Sequence, residues 1–279
     1  MNNSRKNKKN PFVICIIFLL CFSMLSGCAT GDGGNDTTSA NTINSANESQ
    51  SSISVSKPTK KRVAITFDDG PHNVRTTMIV DELAKYGFNA TFFVVGNRVD
   101  GSAYNGGNAL KYAYDNGNEI AIHGYTHDVY YNKCDDATYN EEINKTAKAI
   151  KDICPSCDIK LMRPIGGAIT QERVSESDYS IIMWSVDSED WKYKYKSGDS
   201  DEVAAEKVDT IVENVMSGVQ DGDIILLHDI YESTYDATVI ILNRLYEEGY
   251  DVVTVSELLG SDMRHGQKYS SGTPIDEIK

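Results

Sequence analysis

The sequence predicts an α/β fold of mostly parallel strands, and two observations support this. Between residues 62 and 259, short runs rich in β-branched and aromatic residues alternate with longer runs in which apolar residues recur at helical spacing. Such alternation is typical of parallel strands joined by crossover helices. Several unusual polar residues also follow the predicted strands directly, where the loops of a barrel or an open parallel sheet converge on one crevice.

Seven strands and five helices are expected within one large domain. The predicted strands are residues 63–67, 90–95, 119–122, 159–163, 181–185, 224–228 and 252–255. The predicted helices are residues 76–86, 108–115, 139–153, 201–216 and 238–248.

The N-terminus has the layout of an export signal. Basic residues at positions 5–9 precede an apolar run at 12–25, and Ser26 and Gly27 come before Cys28. The run is short for a membrane-spanning helix. The segment LSGC at 25–28 resembles the lipobox of bacterial lipoproteins, which implies cleavage before Cys28 and a lipid on its sulfur. An uncleaved anchor is the alternative, and either form would tether the exported protein to the outer face of the bacterial cell membrane.

The expected organisation has four parts. Residues 1–27 are the signal peptide, and residues 28–59 are a flexible linker because Ser, Asn, Thr and Gly dominate there. Residues 60–260 are the folded domain. Residues 261–279 are expected to form a polar tail.

Charge and cysteine content bear on the partners. The formal net charge is -14, which argues against nucleic acid because phosphate binding requires clustered Lys and Arg. Cys154 and Cys157 in CPSC, together with Cys134, are compatible with structural thiols, a local disulfide or a metal site. The sequence contains no second cysteine pair that would complete a four-ligand site.

Two aspartates and two histidines follow predicted strands. His123 and His127 in HGYTH are four residues apart, so both imidazoles can face one ion within a helical turn. Two surface histidines are the alternative. Asp68 and Asp69 in TFDDGP end a strand, where neighbouring residues point in different directions, so that one can bind a metal while the other remains a free base. A carboxylate with two imidazoles is typical of catalytic metal sites with open positions.

Three further residues lie at the same predicted edge. Arg163 would favour the charged form of a neighbouring carboxylate and fix its orientation, although an exposed arginine before a proline turn is the alternative. His228 ends the sixth strand, where it is either a core histidine or a general acid. Asp187, after the fifth strand, is available to hold its imidazolium.

Five segments in sequence order resemble the motifs of the polysaccharide deacetylase domain, carbohydrate esterase family 4. They are TFDDGP, HGYTH, RPIGG, DSEDW and LLH, and the resemblance covers about residues 61–259. It implies a distorted (β/α)7-type barrel of mostly parallel strands, with the active site at the carboxyl ends of the strands. It also implies one divalent metal ion, expected to be zinc, with cobalt or nickel as alternatives.

The resemblance further implies a role for each site residue. The expected metal ligands are Asp69, His123 and His127. The expected catalytic residues are the base Asp68, its orienting partner Arg163, the oxyanion donor Gly166 through its backbone N–H, the acid His228 and its tuning partner Asp187. Leu226 is expected to line the acetate pocket and Trp191 to wall the sugar groove.

One segment departs from the family pattern. Residues 163–166 read RPIG where the family often has Arg-x-Pro-Tyr. The second proline and the tyrosine are absent, so the substrate contacts of that tyrosine are not expected here.

The implied activity is metal-dependent removal of N-acetyl groups from an extracellular amino-sugar polysaccharide. Peptidoglycan N-acetylglucosamine is the expected substrate, because a lipid anchor and linker would hold the domain against the wall. Chitin oligomers and O-acetylated xylan are alternatives, as is a glycan-binding domain that has lost turnover. The protein is expected to be a monomer.

Overall fold

The structure, a computed structural model, describes residues 60–272. The predicted export signal with Cys28, the predicted linker up to residue 59, and residues 273–279 lie outside the described residues.

Nine strands are found in the described part of the chain, against the seven predicted. They are β1 Lys61–Asp68, β2 Thr91–Val95, β3 Glu119–Gly124, β4 Leu161–Met162, β5 Ser180–Ile182, β6 Val186–Asp187, β7 Ile224–His228, β8 Tyr250–Val253 and β9 Lys268–Tyr269.

Residues 60–272 also contain eight α-helices. They are α1 Arg75–Tyr86, α2 Gly96–Val99, α3 Gly107–Asp115, α4 Asp136–Ile153, α5 Gln171–Ser175, α6 Asp201–Met216, α7 Glu232–Glu247 and α8 Val255–Leu259. None of the helices between residues 60 and 272 combines the length and apolar character needed to cross a bilayer.

The strands form one curled, half-barrel sheet in which every pairing between named strands is parallel. The strand order is β6-β7-β1-β2-β3-β4-β5-β9, and β8 pairs with the N-terminal half of β1. This confirms the predicted α/β fold with a distorted barrel of parallel strands.

The side chains of β1 alternate between the two faces of the sheet, and the strand ends at the polar edge with Asp68. Val63, Ile65 and Phe67 belong to the large core cluster that also contains buried residues of the helices. Ala64 belongs to a second, smaller apolar cluster. Because side chains alternate along a strand, Thr66 and Asp68 face the same side as Ala64. Asp68 therefore ends the inner face of the half-barrel.

The predicted strand 181–185 is two short strands in the structure. β5 pairs with β4 and β9, whereas β6 pairs with β7 at the other end of the strand order. The residues between β5 and β6 form hydrogen bonds with strands near both ends of the sheet. Met183 N donates to Tyr269 O of β9 at 2.6 Å, and Ser185 N donates to Ile224 O of β7 at 3.0 Å. This segment therefore spans the open side of the half-barrel, which a single β-rich run in the sequence does not reveal.

The stretch predicted to be a polar tail contributes the last strand. Lys268 and Tyr269 pair with β5 in parallel, and Tyr269 is 1% exposed. The Tyr269 hydroxyl donates to Gln267 Oε1 at 2.7 Å. A single buried aromatic residue among polar neighbours gives no periodic signal, so the folded domain extends beyond the predicted boundary at residue 260.

The helix predicted at 238–248 begins six residues earlier, as α7. The buried residues of its first two turns include Ser233, Thr234, Ala237 and Thr238. Small and hydroxyl-bearing residues do not register as an apolar stripe, so the sequence hides the start of this helix.

Candidate active site

The residues predicted to form the site gather at the carboxyl ends of the strands. One cavity of about 420 Å³ is lined by nine of the ten predicted site residues, namely Asp68, Asp69, His123, His127, Gly166, Asp187, Trp191, Leu226 and His228. The tenth, Arg163, is fully buried and contacts Asp68.

Asp69, His123 and His127 form a candidate metal site. Asp69 Oδ1 lies 2.8 Å from His127 Nε2 and 3.4 Å from His123 Nε2, and one ligand atom from each residue lies within 4.8 Å of the others. Asp69 Oδ1 is buried and has no hydrogen bond of acceptable geometry within the described chain. A buried oxygen without a partner, facing two imidazole nitrogens, fits a divalent cation.

The charge state of these residues also suits a cation. Burial opposes the ionisation of Asp69, but the adjacent imidazoles of His123 and His127 outweigh it and hold the pKa of Asp69 well below its usual range. Contact with the Asp69 carboxylate raises the pKa of His127 against the effect of burial. A bound cation would require this same ionised carboxylate together with neutral imidazoles.

A backbone carbonyl orients the His123 ring. His123 Nδ1 lies 2.9 Å from Arg163 O, and the ring is 3% exposed. A proton on Nδ1 leaves the Nε2 lone pair facing Asp69, which is the arrangement that metal-binding histidines usually show.

Left-handed backbone conformations turn the ligands toward each other. Asp69 has a φ of 71° and His127 a φ of 66°. Asp adopts this region more readily than most residues, and such conformations concentrate at functional sites. Both carboxylates lie near His123 Nε2, with Asp69 Oδ1 at 3.4 Å and Asp68 Oδ2 at 3.8 Å, but only Asp69 also contacts His127.

The His127 loop is held by a carboxylate from α4. Glu142 Oε2 accepts from the backbone N of Tyr125 at 2.7 Å and of Thr126 at 2.9 Å, and Oε1 accepts from Thr126 Oγ1 at 2.9 Å. Glu142 is 5% exposed. It fixes the loop that precedes His127 without reaching the cavity itself.

Asp68 is fixed by a buried guanidinium. Arg163 Nη1 donates to Asp68 Oδ1 at 2.8 Å and to Thr66 Oγ1 at 2.7 Å. Its other nitrogens donate to the carbonyls of Ile182 at 3.0 Å and Met183 at 2.8 Å. Because every branch of this guanidinium is bonded, the second oxygen of Asp68 keeps a defined direction, 3.8 Å from His123 Nε2.

The carboxylate that contacts His228 is Asp190, and the prediction that Asp187 does so is wrong. Asp190 Oδ1 lies 2.7 Å from His228 Nδ1, and Asp190 Oδ2 accepts from His228 N at 2.7 Å. Asp187 lines the cavity and accepts from Glu189 N at 2.8 Å. Glu189 has a φ of 54°, and this turn carries Asp190 beneath the histidine, where it is completely buried.

Asp190 sets the protonation state of His228. Burial of the ring favours the neutral form, but the hydrogen bond and charge of Asp190, together with the charges of Asp69 and Asp68, raise the pKa of His228 to about 9. Thr234 Oγ1, at the start of α7, donates to Asp190 Oδ2 at 2.7 Å and holds the carboxylate in place. His228 is therefore a cation at neutral pH with Nε2 available to donate.

The remaining predicted residues form the walls of the cavity. Leu226 is 5% exposed, whereas Trp191 is 46% exposed. Gly166 has a φ of 57° within the 3-10 turn Ile165–Gly167. A Cβ at Gly166 would lie 3.4 Å from Tyr130 Cε1, so an aromatic ring from another loop stands next to the position where the family often has tyrosine.

Sequence reasoning missed several residues of the site. Asp190 stands three residues after Asp187 in DSEDW, and only the turn at Glu189 decides between them. Glu142 lies on α4, whose sequence is mostly polar, and it is buried only because it binds the loop before His127. Tyr231 also lines the cavity, but in sequence it resembles an ordinary half-exposed tyrosine of a loop.

Comparisons with known proteins show that the chain is similar to polysaccharide deacetylases. A family model described as "Polysaccharide deacetylase" matches residues 55–179. The chain is 32% identical over 221 residues to peptidoglycan-N-acetylglucosamine deacetylase PgdA of Listeria monocytogenes, covering 79% of this chain and 44% of the relative. It is 32% identical over 174 residues to the chitooligosaccharide deacetylase of a Bradyrhizobium species, covering 61% of this chain and 72% of the relative.

A solved structure shares the fold. The structure of peptidoglycan deacetylase PdaC from Bacillus subtilis has a TM-score of 0.63 and 35% sequence identity, covering 73% of this chain and 92% of that chain. The full-length sequence of PdaC is named peptidoglycan-N-acetylmuramic acid deacetylase. The chain spans less than half the full length of PgdA and of PdaC.

Proposed function

Because the chain belongs to the polysaccharide deacetylase family, carbohydrate esterase family 4, we propose that it hydrolyses acetamide groups on an extracellular amino-sugar polysaccharide. The observation that carries this proposal is the convergence of Asp69, His123 and His127 in one cavity that also holds Asp68 and His228. Three metal-ligand candidates, a fixed carboxylate and a cationic histidine are the groups that amide hydrolysis requires. Their joint presence favours turnover over glycan binding alone.

In the proposed mechanism, Asp69, His123 and His127 hold one divalent cation, with zinc favoured by the carboxylate and imidazole ligands. When bound, such a cation lowers the pKa of water and stabilises negative charge on the carbonyl oxygen. Asp68, held by Arg163, accepts the proton of the attacking water. His228, kept protonated by Asp190, donates its Nε2 proton to the departing nitrogen.

The other lining residues bind and orient the substrate in this proposal. The backbone N–H of Gly166 donates to the oxyanion, a contact of a kind worth about 2.7 to 4 kcal/mol. Leu226 receives the acetyl methyl group, and Trp191 contacts the sugar ring. Asp187 remains a carboxylate of the cavity wall without contact to His228.

We propose peptidoglycan as the polymer. Two of the similar proteins are named peptidoglycan deacetylases, and the export signal and linker expected from the sequence would place a lipid-anchored domain on the outer face of the membrane, near the wall. Chitin oligomers and acetylated xylan remain the alternatives. Cys28 is the proposed lipid site, with residues 1–27 as the signal peptide, residues 28–59 as the linker, and a monomeric domain after them.

Acetate release from a panel of acetylated glycans, with and without chelator, tests this proposal. We expect release from peptidoglycan fragments, loss of release in chelator, and recovery when zinc is restored. Release that is unaffected by chelator would contradict the metal-dependent mechanism. A lack of release from every glycan in the panel would contradict the proposed activity.

A further inference from the structure

A second cavity of about 400 Å³ adjoins the candidate active site. Both cavities are lined by Asp69, His127 and Tyr231, so they meet at the candidate metal ligands. A glycan whose acetamide lies at these ligands would extend a neighbouring sugar into the second cavity. Arg98, on the short helix α2, also lines this second cavity.

The Arg98 guanidinium has no polar partner in residues 60–272. It lies 5.5 Å from the centre of the Tyr104 ring, and the residue is half-buried. Every other arginine of these residues donates to a carboxylate or a carbonyl oxygen: Arg62, Arg75, Arg163, Arg173, Arg244 and Arg264. A half-buried guanidinium without an acceptor is unusual in a chain with 41 acidic residues.

The charge of Arg98 reaches the boundary between the two cavities. Burial raises the pKa of Tyr231 to about 12, and the positive charge of Arg98 acts against that rise. Burial raises the pKa of Asp229 to about 7, and the positive charge of Arg98 also acts against that rise. Asp128 also lines the second cavity, but it is exposed, so solvent screens its charge more strongly than that of Arg98.

We infer that Arg98 binds a carboxylate on the sugar next to the one that is deacetylated. A guanidinium presents parallel N–H donors that match a carboxylate, and the match is strongest where water is partly excluded. The inference rests on the proposed function and narrows its substrate class to glycans with an acidic group beside the acetamide. The lactyl ether of muramic acid and the peptide attached to it are two sources of that carboxylate, whereas chitin oligomers have none.

The test compares three tetrasaccharides with the full chain loaded with zinc. One is a neutral N-acetylglucosamine oligomer. One alternates N-acetylglucosamine with N-acetylmuramic acid whose lactyl carboxylate is free, and one is the same oligomer with a short peptide on the lactyl group. For wild type we expect a higher kcat/KM on an acidic oligomer than on the neutral one. For Arg98→Gln we expect that value to fall about 10-fold or more on the preferred acidic oligomer, with less than a twofold change on the neutral oligomer.

Two further variants sharpen the comparison. Arg98→Lys should recover part of the preference, because it keeps the charge but not the paired donors. Lys194→Gln is the matched control, since Lys194 is exposed and lies over the Tyr231 ring at 4.9 Å but does not line the cavity. Its removal should change kcat/KM on the acidic oligomers less than threefold.

Calorimetric binding of the same oligomers provides a readout that does not depend on turnover. Tighter binding of an acidic oligomer by wild type, lost in Arg98→Gln, supports the inference even if no acetate is released, in which case only the proposed activity fails. Equal binding of neutral and acidic oligomers, or equal losses on both in Arg98→Gln, would overturn it. The peptide-free and peptide-bearing oligomers then show which carboxylate Arg98 binds.

Discussion

At the residue scale, the site depends on which carboxylate lies behind each reactive group. Arg163 binds one oxygen of Asp68 and leaves the other free, whereas Asp190 uses both oxygens on His228 and its neighbours. The first arrangement preserves a proton acceptor and the second preserves a proton donor. The two groups can therefore act in opposite directions at the same pH.

The Asp190 contact predicts the alkaline limit of activity. A general acid works only when protonated, so activity should fall as the pH rises through the pKa of His228, which is about 9 without a bound cation and lower with one. Asp190→Asn removes the charge that raises this pKa, and the alkaline limb should move about one pH unit or more toward neutral. The measurement is kcat against pH for wild type and Asp190→Asn at the same metal loading, so that the bound cation lowers the pKa of His228 in both proteins.

Asp187→Asn is the matched control for that experiment. Asp187 lies in the same motif and lines the cavity but does not contact His228, so its alkaline limb should stay within a few tenths of a pH unit of wild type. A shift in Asp187→Asn without one in Asp190→Asn would reverse the assignment.

The raised pKa of His228 also makes the stability of the fold depend on pH. The contact between protonated His228 and Asp190 stabilises the fold fully below pH 6.5, and this contribution is lost as the pH rises through about 9.

At the element scale, α4 supports a metal ligand through a loop. Glu142 binds two backbone N–H groups and one hydroxyl just before His127. Outer residues of this kind typically contribute 10- to 100-fold to metal affinity. Glu142→Gln removes the negative charge and replaces one carboxylate oxygen by an amide NH2, so the charge-assisted bonds to the loop weaken and we expect zinc affinity to fall about 10-fold or more.

Zinc titration with a competing chelator checks the Glu142 prediction. Glu141→Gln is the control, because Glu141 is exposed on the same helix and pairs with Lys145. Zinc affinity should be unchanged in the control. Equal affinities for Glu142→Gln and wild type would mean that the loop holds His127 without α4.

The last strand gives a second prediction at this scale. Tyr269 is 1% exposed and joins β9 to the folded domain, whereas Tyr246 is 57% exposed on α7. Tyr269→Ala should lower the free energy of unfolding by about 3 kcal/mol, as for other large buried aromatic residues. Tyr246→Ala should cost less than about 1 kcal/mol. Urea unfolding measures both losses, and a loss in Tyr269→Ala below about 1 kcal/mol would show that β9 is not part of the cooperative core.

At the scale of the whole molecule, local pattern predicted the elements better than their connections. β7 and α6 match their predicted bounds, because a run of four apolar residues and a regular helical stripe each determine their own structure. The split of residues 180–187 into β5 and β6 depends on strands that are distant in sequence. The local sequence does not indicate which distant strands β5 and β6 pair with, and it does not indicate the pairing of β9 with β5.

The site follows the same division. Five motifs were enough to locate nine residues in one cavity, since the carboxyl ends of parallel strands meet there. The sequence did not distinguish Asp187 from Asp190, because a left-handed turn at Glu189 decides which carboxylate lies beneath His228. Supporting residues such as Glu142 become recognisable only from their contacts.

The central claim is that Asp69, His123 and His127 together hold one divalent cation beside Asp68. Metal content of the purified full chain, measured for wild type, Asp68→Asn and His127→Ala, tests it most directly. We predict about one cation per chain in wild type and in Asp68→Asn, with acetate release reduced about 10²- to 10⁴-fold in the latter, and little bound metal in His127→Ala. A His127→Ala protein with the metal content of wild type would contradict the claim.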